Sequence, residues 1–293
     1  MSIGKTFRAI RLSKGLQQKE IYSGILSKSY AIEFEKGKHN ISATLLLSLL
    51  ERISVEYDEF LFIENNYRLQ KPADYSIRYS KYANNHDLPN LYALLAELSA
   101  STIQIDKVHS AEIRSRIRII EHVKKTGEYL PSVALDTDKK IILDYLIDIQ
   151  TWTLQEIQLF ANTLEFITAE QKLIFFKQIS KYLPLYENYD RGRDAFCVLL
   201  TNLIRETLLE NQLDYAFVLI QQLKLISTEY NELYYRVIIN YFEGILLMKQ
   251  GEKARGKDKS LNAIQLLIQL DMVTLVKELE SLYPLDLSEI KKP

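Results

Sequence analysis

The chain has 293 residues, 47% of them hydrophobic and 26% charged, with a formal net charge of −1. These are ordinary values for a globular protein with a sizeable core. A single cysteine, Cys197, excludes an intrachain disulfide framework and any multi-cysteine metal site. Nine glycines and six prolines are too few for a fold with many turns. The composition therefore predicts an all-α protein of long helices joined by short connections.

The sequence offers little support for catalysis, for cofactor or metal binding, or for insertion into a membrane. The four histidines (39, 86, 109 and 122) are scattered, and no glycine-rich phosphate loop or metal-ligand spacing occurs. We therefore expect no enzyme activity, no cofactor and no metal. The longest apolar runs are too short to cross a bilayer, which predicts a cytoplasmic protein without a membrane partner.

Charge is distributed unevenly along the chain. Residues 1–40 carry a net charge of +5, and the remaining residues carry −6. Such asymmetry suits a basic end that meets phosphate groups, although +5 is also compatible with an ordinary solvated surface.

The first helices are predicted over residues 4–14 and from Gln17 onward. Gly15 separates them, and Glu20, three residues after Gln17, matches a capping box. In the first helix, apolar spacing predicts four side chains that face inward: Ile3, Phe7, Ile10 and Leu12.

A third helix follows a Ser23-Gly24 turn. Ser27 is placed to cap it, Gly37 to end it, and Ala31 and Phe34 to pack it against the second helix. Two helices joined by a tight turn form a helix-turn-helix, whose second helix enters the major groove of DNA. We therefore predict double-stranded DNA as a partner.

The outer face of that helix and the loop behind it offer groups that suit bases and phosphates. Lysine donates to guanine, glutamate accepts from cytosine, and an apolar group contacts the thymine methyl. Taken singly, Lys28 and Lys38 are also compatible with ordinary solvent lysines, and Glu33 could repel phosphate. The predicted DNA-binding residues are Gln18, Ser27, Lys28, Ser29, Ile32, Glu33, Lys36 and Lys38.

Two further helices, over about 42–53 and from about residue 54, complete a small domain. The polar stretch at 64–74 then predicts a boundary. We expect a five-helix helix-turn-helix domain over residues 1–66, followed by a helical-repeat domain over residues 67–293.

The second domain contains a repeat of about 40 residues. Segments 157–167, 197–207 and 237–247 align, and each is followed by a second apolar helix. Stacked helical hairpins of this kind form an α-solenoid, similar to tetratricopeptide repeats, with a concave binding surface.

An asparagine recurs once in each of these repeats. A column of amides can pair with the backbone of an extended peptide, although each amide could equally bridge neighbouring helices. An arginine and a glutamate follow two of the asparagines by three residues, on the same helix face. The predicted peptide-binding residues are Asn162, Asn202, Arg205, Asn240 and Glu243.

The segments FRAIRLSKGLQQKEIYSGILSKSYAIEFEKGKHNIS and DYLIDIQTWTLQEIQLFANT resemble the PrgX-like Rgg/GadR/MutR family of transcriptional regulators. The resemblance implies a homodimer that dimerises through its C-terminal domain, binds an operator, and is switched by a short signalling peptide held in the repeats, as in quorum sensing. Many members carry Ser-Arg where this chain has Ile32-Glu33, so operator specificity does not transfer. The alternatives are a peptide-independent dimeric repressor and a helical scaffold that binds only protein.

Overall fold

The computed structural model describes residues 2–69 and 71–285, except for the side chains of residues 71–73 and 231. Every regular element in these residues is a helix, which confirms the all-α class. No helix among them is both long and apolar enough to cross a membrane. The chain divides into two compact units, Met1–Arg78 and Tyr79–Pro293. The domain boundary between residues 66 and 67 stays a prediction.

The first unit begins with five short helices, and local signals set their ends. The Ser27 hydroxyl accepts a hydrogen bond from the backbone N–H of Tyr30, and Gln17 and Glu20 form the expected capping box. Ser42 caps the fourth helix in the same way as Ser27 caps the third. The helices are α1 Ile3–Ser13, α2 Gln18–Tyr22, α3 Lys28–Glu35, α4 Ala43–Arg52 and α5 Tyr57–Glu64.

Aromatic side chains from three of these helices form the centre of the first core. Phe7 lies with its ring centroid 5.9 Å from that of Phe34 and 6.5 Å from that of Phe60. The predicted inward side chains of α1 are only partly right, since Ile3 is 36% and Leu12 54% exposed. Arg11 is buried instead, because its guanidinium pairs with the Glu35 carboxylate inside the unit.

The second unit consists of helices in sequence, several of them paired by short loops. The last helices, α13 to α17, follow one another with connections of three to six residues, and the connection between α14 and α15 contains a 3₁₀ turn. The bounds are α6 Lys71–Asn84, which contains the division between the units, α7 Leu88–Ser99, α8 Gln104–Thr126, α9 Asp136–Asp148, α10 Leu154–Thr163, α11 Ala169–Ile179, α12 Leu183–Tyr186, α13 Asp190–Leu209, α14 Leu213–Ile226, α15 Leu233–Lys249, α16 Lys253–Gln269 and α17 Val273–Leu282.

Packing between these helices follows a helical-repeat arrangement. Helix α13 packs on α14 and α15 on α16, while α10, α13 and α15 contact one another in turn. The α15–α16 pair is especially close: a Cβ on Gly244 would lie 2.5 Å from the carbonyl oxygen of Gly256. The sequence prediction of an all-α chain with repeated helical hairpins is thus confirmed.

Trp152 anchors the middle of the second core. Its ring lies 5.9 Å from that of Phe160 and 5.7 Å from that of Phe175, and its Nε1 donates to the Gln178 side chain at 3.2 Å. The family-like segment around Trp152 and Thr163 therefore serves packing here.

Candidate functional site

A buried carboxylate fixes α3 against the helices that precede it. Arg11 donates to both oxygens of Glu35, at 2.6 and 2.9 Å, and the Tyr22 hydroxyl and the Gln18 amide donate at 2.8 and 2.7 Å. Burial alone would raise the pKa of Glu35, but these hydrogen bonds hold it below its ordinary value. Glu35 therefore stays ionised, and α1 and α2 are both tied to the end of α3.

This clamp determines which face of α3 meets solvent. Ala31 and Phe34 are buried with Glu35, whereas Lys28 and Ser29 are exposed and Ile32 is partly exposed. Since residues on one side of a helix recur every three to four positions, the remaining side presents a continuous outer face. A helix held in this way can enter a major groove as a rigid body.

Glu33 lies on that outer face, paired with two lysines. Its carboxylate is 2.9 Å from the Lys36 ammonium and 3.0 Å from that of Lys38. Hydrogen bonds from Lys36 and then Lys38 lower the pKa of Glu33. The three side chains together carry one net positive charge, so Glu33 is not an isolated negative charge on this face.

The loop after α3 is held by a contact that the sequence reading did not identify. The Tyr30 ring stacks on the His39 imidazole, with centroids 5.4 Å apart and planes 10° from parallel. The Tyr30 hydroxyl also donates to the Asn40 carbonyl at 2.9 Å. Both contacts fix the loop that carries Lys38. The Gln18 side-chain amide donates a hydrogen bond to Glu35 and therefore helps to hold α3 in place.

A second polar site lies inside the second unit, and we call it the α13 polar cluster: Glu112, Arg116, Asn162, Glu165, Asn202 and Arg205. Arg116 is 2.9 Å from Glu165 Oε1, and its guanidinium donates to the Asn162 carbonyl at 3.0 Å. The Tyr129 hydroxyl donates to the other oxygen of Glu165 at 2.6 Å. Burial raises the pKa of Tyr129 to about 12, so the phenol remains a donor.

Two of the predicted asparagines belong to this cluster and bridge helices. The Asn162 amide donates to Glu112 of α8 at 2.9 Å, and the Asn202 amide donates to the Ala161 carbonyl of α10 at 2.9 Å. Each amide nitrogen therefore already has a partner within the unit.

Arg205 is the third predicted residue that the structure brings into the cluster. Its guanidinium lies 3.2 Å from Glu278 on α17, 3.5 Å from Glu206 and 4.0 Å from Glu165. Burial acts to lower the pKa of Arg205, but the surrounding phenol and carboxylates raise it, so the charge is retained.

Asn240 and Glu243 lie elsewhere on α15. Glu243 forms ion pairs with Lys224 of α14 and Lys259 of α16. The Asn240 side chain is exposed. The structure thus brings together three of the five predicted peptide residues.

The cluster offers charges, amides and phenols suited to binding rather than to bond making. Arg116 pairs with Glu165 and Arg205 with Glu278, and the members of the cluster come from α8, α10, α13 and the 3₁₀ turn that carries Glu165. Sequence reasoning missed Arg116 and Glu165 because their pairing joins residues far apart in the chain. The arrangement can hold a ligand that exchanges one of these polar contacts for its own.

The second unit of the chain matches a known protein family. Residues 92–281 match the family model for the C-terminal domain of the HTH-type transcriptional regulator Rgg. This chain belongs to the Rgg family. The family consists of transcriptional regulators and not of enzymes. The resemblance found in the sequence is thereby confirmed.

Solved structures agree with this membership over almost the whole chain. A candidate transcriptional regulator from Listeria monocytogenes EGD-e is 36% identical, with a TM-score of 0.83 and coverage of 97% of this chain and 99% of that one. The Streptococcus dysgalactiae SHP pheromone receptor Rgg2 is 23% identical, with a TM-score of 0.74 and coverage of 95% and 97%. PrgX in complex with cCF10 is 20% identical, with a TM-score of 0.65 and coverage of 96% and 98%. The last two share the Rgg-family fold.

Proposed function

We propose that this Rgg-family protein is a sequence-specific DNA-binding regulator whose activity is switched by a short signalling peptide bound in its second unit. The observation that carries the proposal is the way in which α3 is held within the first unit. Glu35 is clamped by Arg11, Gln18 and Tyr22 on the inner side, and the opposite side is open to solvent. A rigid helix with an exposed polar face is the element that reads a major groove.

On DNA, the outer face of α3 divides into base readers and phosphate binders. Lys28 is suited to guanine, Ser29 to either partner type, and Ile32 to the thymine methyl. Lys36 and Lys38 are suited to phosphates, with Ser27 at the helix start and Glu33 holding the two lysines in place.

A homodimer is part of the proposal. Two copies would present two α3 helices to successive major grooves, about 34 Å apart. Exposed apolar side chains of α14, Phe217, Val218 and Leu225, support an interface in the second unit. Such a protein works where the DNA is, so we expect it in the cytoplasm.

Peptide binding is supported by the relatives and by the α13 polar cluster. One relative is described as a pheromone receptor and another as a complex with cCF10. Within the part of the chain that the structure describes, the amide nitrogens of Asn162 and Asn202 are used in hydrogen bonds while their side-chain oxygens remain acceptors, and Arg205 offers a cation. These groups match what the backbone and ends of a peptide require.

A peptide-independent dimeric repressor is the second candidate. It is favoured by the internal use of the Asn162 and Asn202 amide nitrogens, which already bridge helices. Calorimetric titration of the protein with peptides encoded by short reading frames beside its gene separates the two candidates. Saturable binding supports the switch, and no heat with any of them supports the repressor.

The DNA-binding half is tested with Lys28→Ala, using Lys177→Ala as a control that removes the same charge from the second unit. Selection from random duplexes first supplies a specific site. We expect Lys28→Ala to weaken binding to that site by about tenfold, while Lys177→Ala leaves it unchanged. Equal affinities for all three proteins would contradict the assignment of α3.

A further inference from the structure

Arg205 has three carboxylate neighbours, and they differ in how firmly they are held. The Glu165 and Glu206 side chains are 3% and 11% exposed, whereas Glu278 is 48% exposed. Glu165 also pairs with Arg116, and Glu206 with Lys172 at 3.1 Å. Among the described residues, Arg205 is the cation that pairs with Glu278. Glu278 is therefore the neighbour that can leave without leaving a buried charge unpaired.

Helix α17, which carries Glu278, is attached by few contacts. Its buried side chains are Val276 and Leu279. The Tyr241 hydroxyl adds one hydrogen bond to the Leu279 carbonyl at 2.9 Å. Leu275 of the same helix is partly buried against the core. A helix held by these three apolar side chains, one hydrogen bond and one exposed ion pair opens at low cost compared with the core helices.

The contact between Arg205 and Glu278 is also incomplete. One guanidinium nitrogen donates to one oxygen of Glu278, at 3.2 Å. A guanidinium binds a carboxylate best through two parallel hydrogen bonds, which are shorter and stronger. A carboxylate that arrives from outside, free of the α17 backbone, can adopt that paired geometry.

We propose that Glu278 occupies the place of a ligand carboxylate, and that the signalling peptide binds Arg205 through a carboxylate of its own and displaces Glu278. This inference rests on the proposed peptide-binding function and names the chemistry of its ligand. The carboxylate comes either from the peptide C-terminus or from an acidic side chain. In the absence of peptide, Glu278 keeps α17 closed against α13.

The test uses the full chain with Glu278→Gln and, as a matched control on the same helix, Glu280→Gln. Hydrogen exchange without ligand is measured first. Glu278→Gln should speed exchange in residues 273–282 by about fivefold, and Glu280→Gln should not. Unchanged exchange in Glu278→Gln would show that the ion pair does not close α17 and would overturn the inference.

Ligand chemistry is then tested with three synthetic pools of apolar octapeptides. One pool has free C-terminal carboxylates, one is amidated, and one is amidated with a glutamate at one position. Retained peptides are counted by mass spectrometry. Glu278→Gln should retain a carboxylate-bearing pool about fivefold better than the wild type does, and better than it retains the plain amides. Preferential retention of the first pool would identify the C-terminal carboxylate as the group that binds Arg205. Preferential retention of the third pool would identify an acidic side chain.

The two proposals fail differently in this experiment. Retention of all three pools to the same extent by both proteins would overturn the role of Glu278 and leave peptide binding intact. Retention of none of the pools by either protein would contradict the peptide-binding function, and the inference about Glu278 would fall with it.

Discussion

The Arg11 guanidinium donates to both oxygens of Glu35, at 2.6 and 2.9 Å, across 24 positions of the chain. The pair joins the inner face of α1 to the last turn of α3. Both side chains are nearly inaccessible to solvent. The position of the exposed face of α3 therefore depends on this ion pair, to which the exposed Arg8 side chain adds a longer contact with Glu35 at 3.8 Å.

Breaking this pair should destabilise the first unit. We expect Arg11→Met to cost about 3–5 kcal/mol, because it leaves the buried Glu35 carboxylate with the exposed Arg8, 3.8 Å away, as its cation. The double variant Arg11→Met/Glu35→Leu should recover much of that loss. Native-state hydrogen exchange of α3 measures both changes. A single variant that costs less than about 1 kcal/mol would mean that Gln18 and Tyr22 suffice for the carboxylate.

Removal of Glu33 should release its two lysines to the DNA backbone. We expect Glu33→Gln to raise affinity for random-sequence DNA at low salt and to steepen the salt dependence by about one to two phosphate contacts. Discrimination between specific and random duplexes should fall. Fluorescence anisotropy at several salt concentrations measures these quantities, and Glu51→Gln on α4 removes a comparable exposed charge as the control. A shallower salt dependence would contradict the pairing.

Asn202→Ala distinguishes a ligand-binding role from a bridging role. Loss of the hydrogen bond to the Ala161 carbonyl should cost about 1 kcal/mol of stability in either case. If the side-chain oxygen also contacts peptide, peptide binding should weaken while DNA binding by the free protein stays intact. Titration calorimetry and DNA anisotropy measure the two effects. Normal peptide binding by Asn202→Ala would show that Asn202 only bridges the helices.

His109 should make stability depend on pH. Burial lowers the pKa of His109 to about 4, below the ordinary value of 6.5, so the folded protein keeps this imidazole neutral. The unfolded chain therefore binds more protons between these values, and stability should fall as the pH drops from about 6.5 toward 4, by about 3 kcal/mol at most. Urea denaturation across this range, compared with His109→Gln, tests it. An equally steep fall of stability with pH in His109→Gln would show that other titratable groups cause the pH dependence.

Helix ends were predictable because their signals are local. Ser27, Ser42 and the Gln17–Glu20 box lie within a few residues of the backbone groups they satisfy. The repeat in the second unit was predictable for a similar reason, since apolar spacing recurs along the chain. The inward face of α1 was misjudged at Ile3, the first residue of the helix, and at Leu12. At Leu12 the reason is that the partner that buries the neighbouring Arg11 lies on another helix.

The polar sites were predictable only in part. Asn162, Asn202 and Arg205 stood out through their periodic spacing, and they do meet in one cluster. Arg116 and Glu165, which form its centre, carry no local signal, since ion pairs between distant helices depend on tertiary packing. A glutamate at position 35 beside Phe34 was the one available clue to the α3 clamp, because a charge on a buried face requires a partner.

The central claim is that a peptide in the second unit changes DNA binding by the first. The most direct measurement is the affinity of the full-length protein for its selected duplex, with and without a saturating peptide encoded beside its gene. A coupling of about 1–3 kcal/mol predicts a change of about 5- to 150-fold. An affinity that stays the same while calorimetry shows the peptide bound would contradict the account.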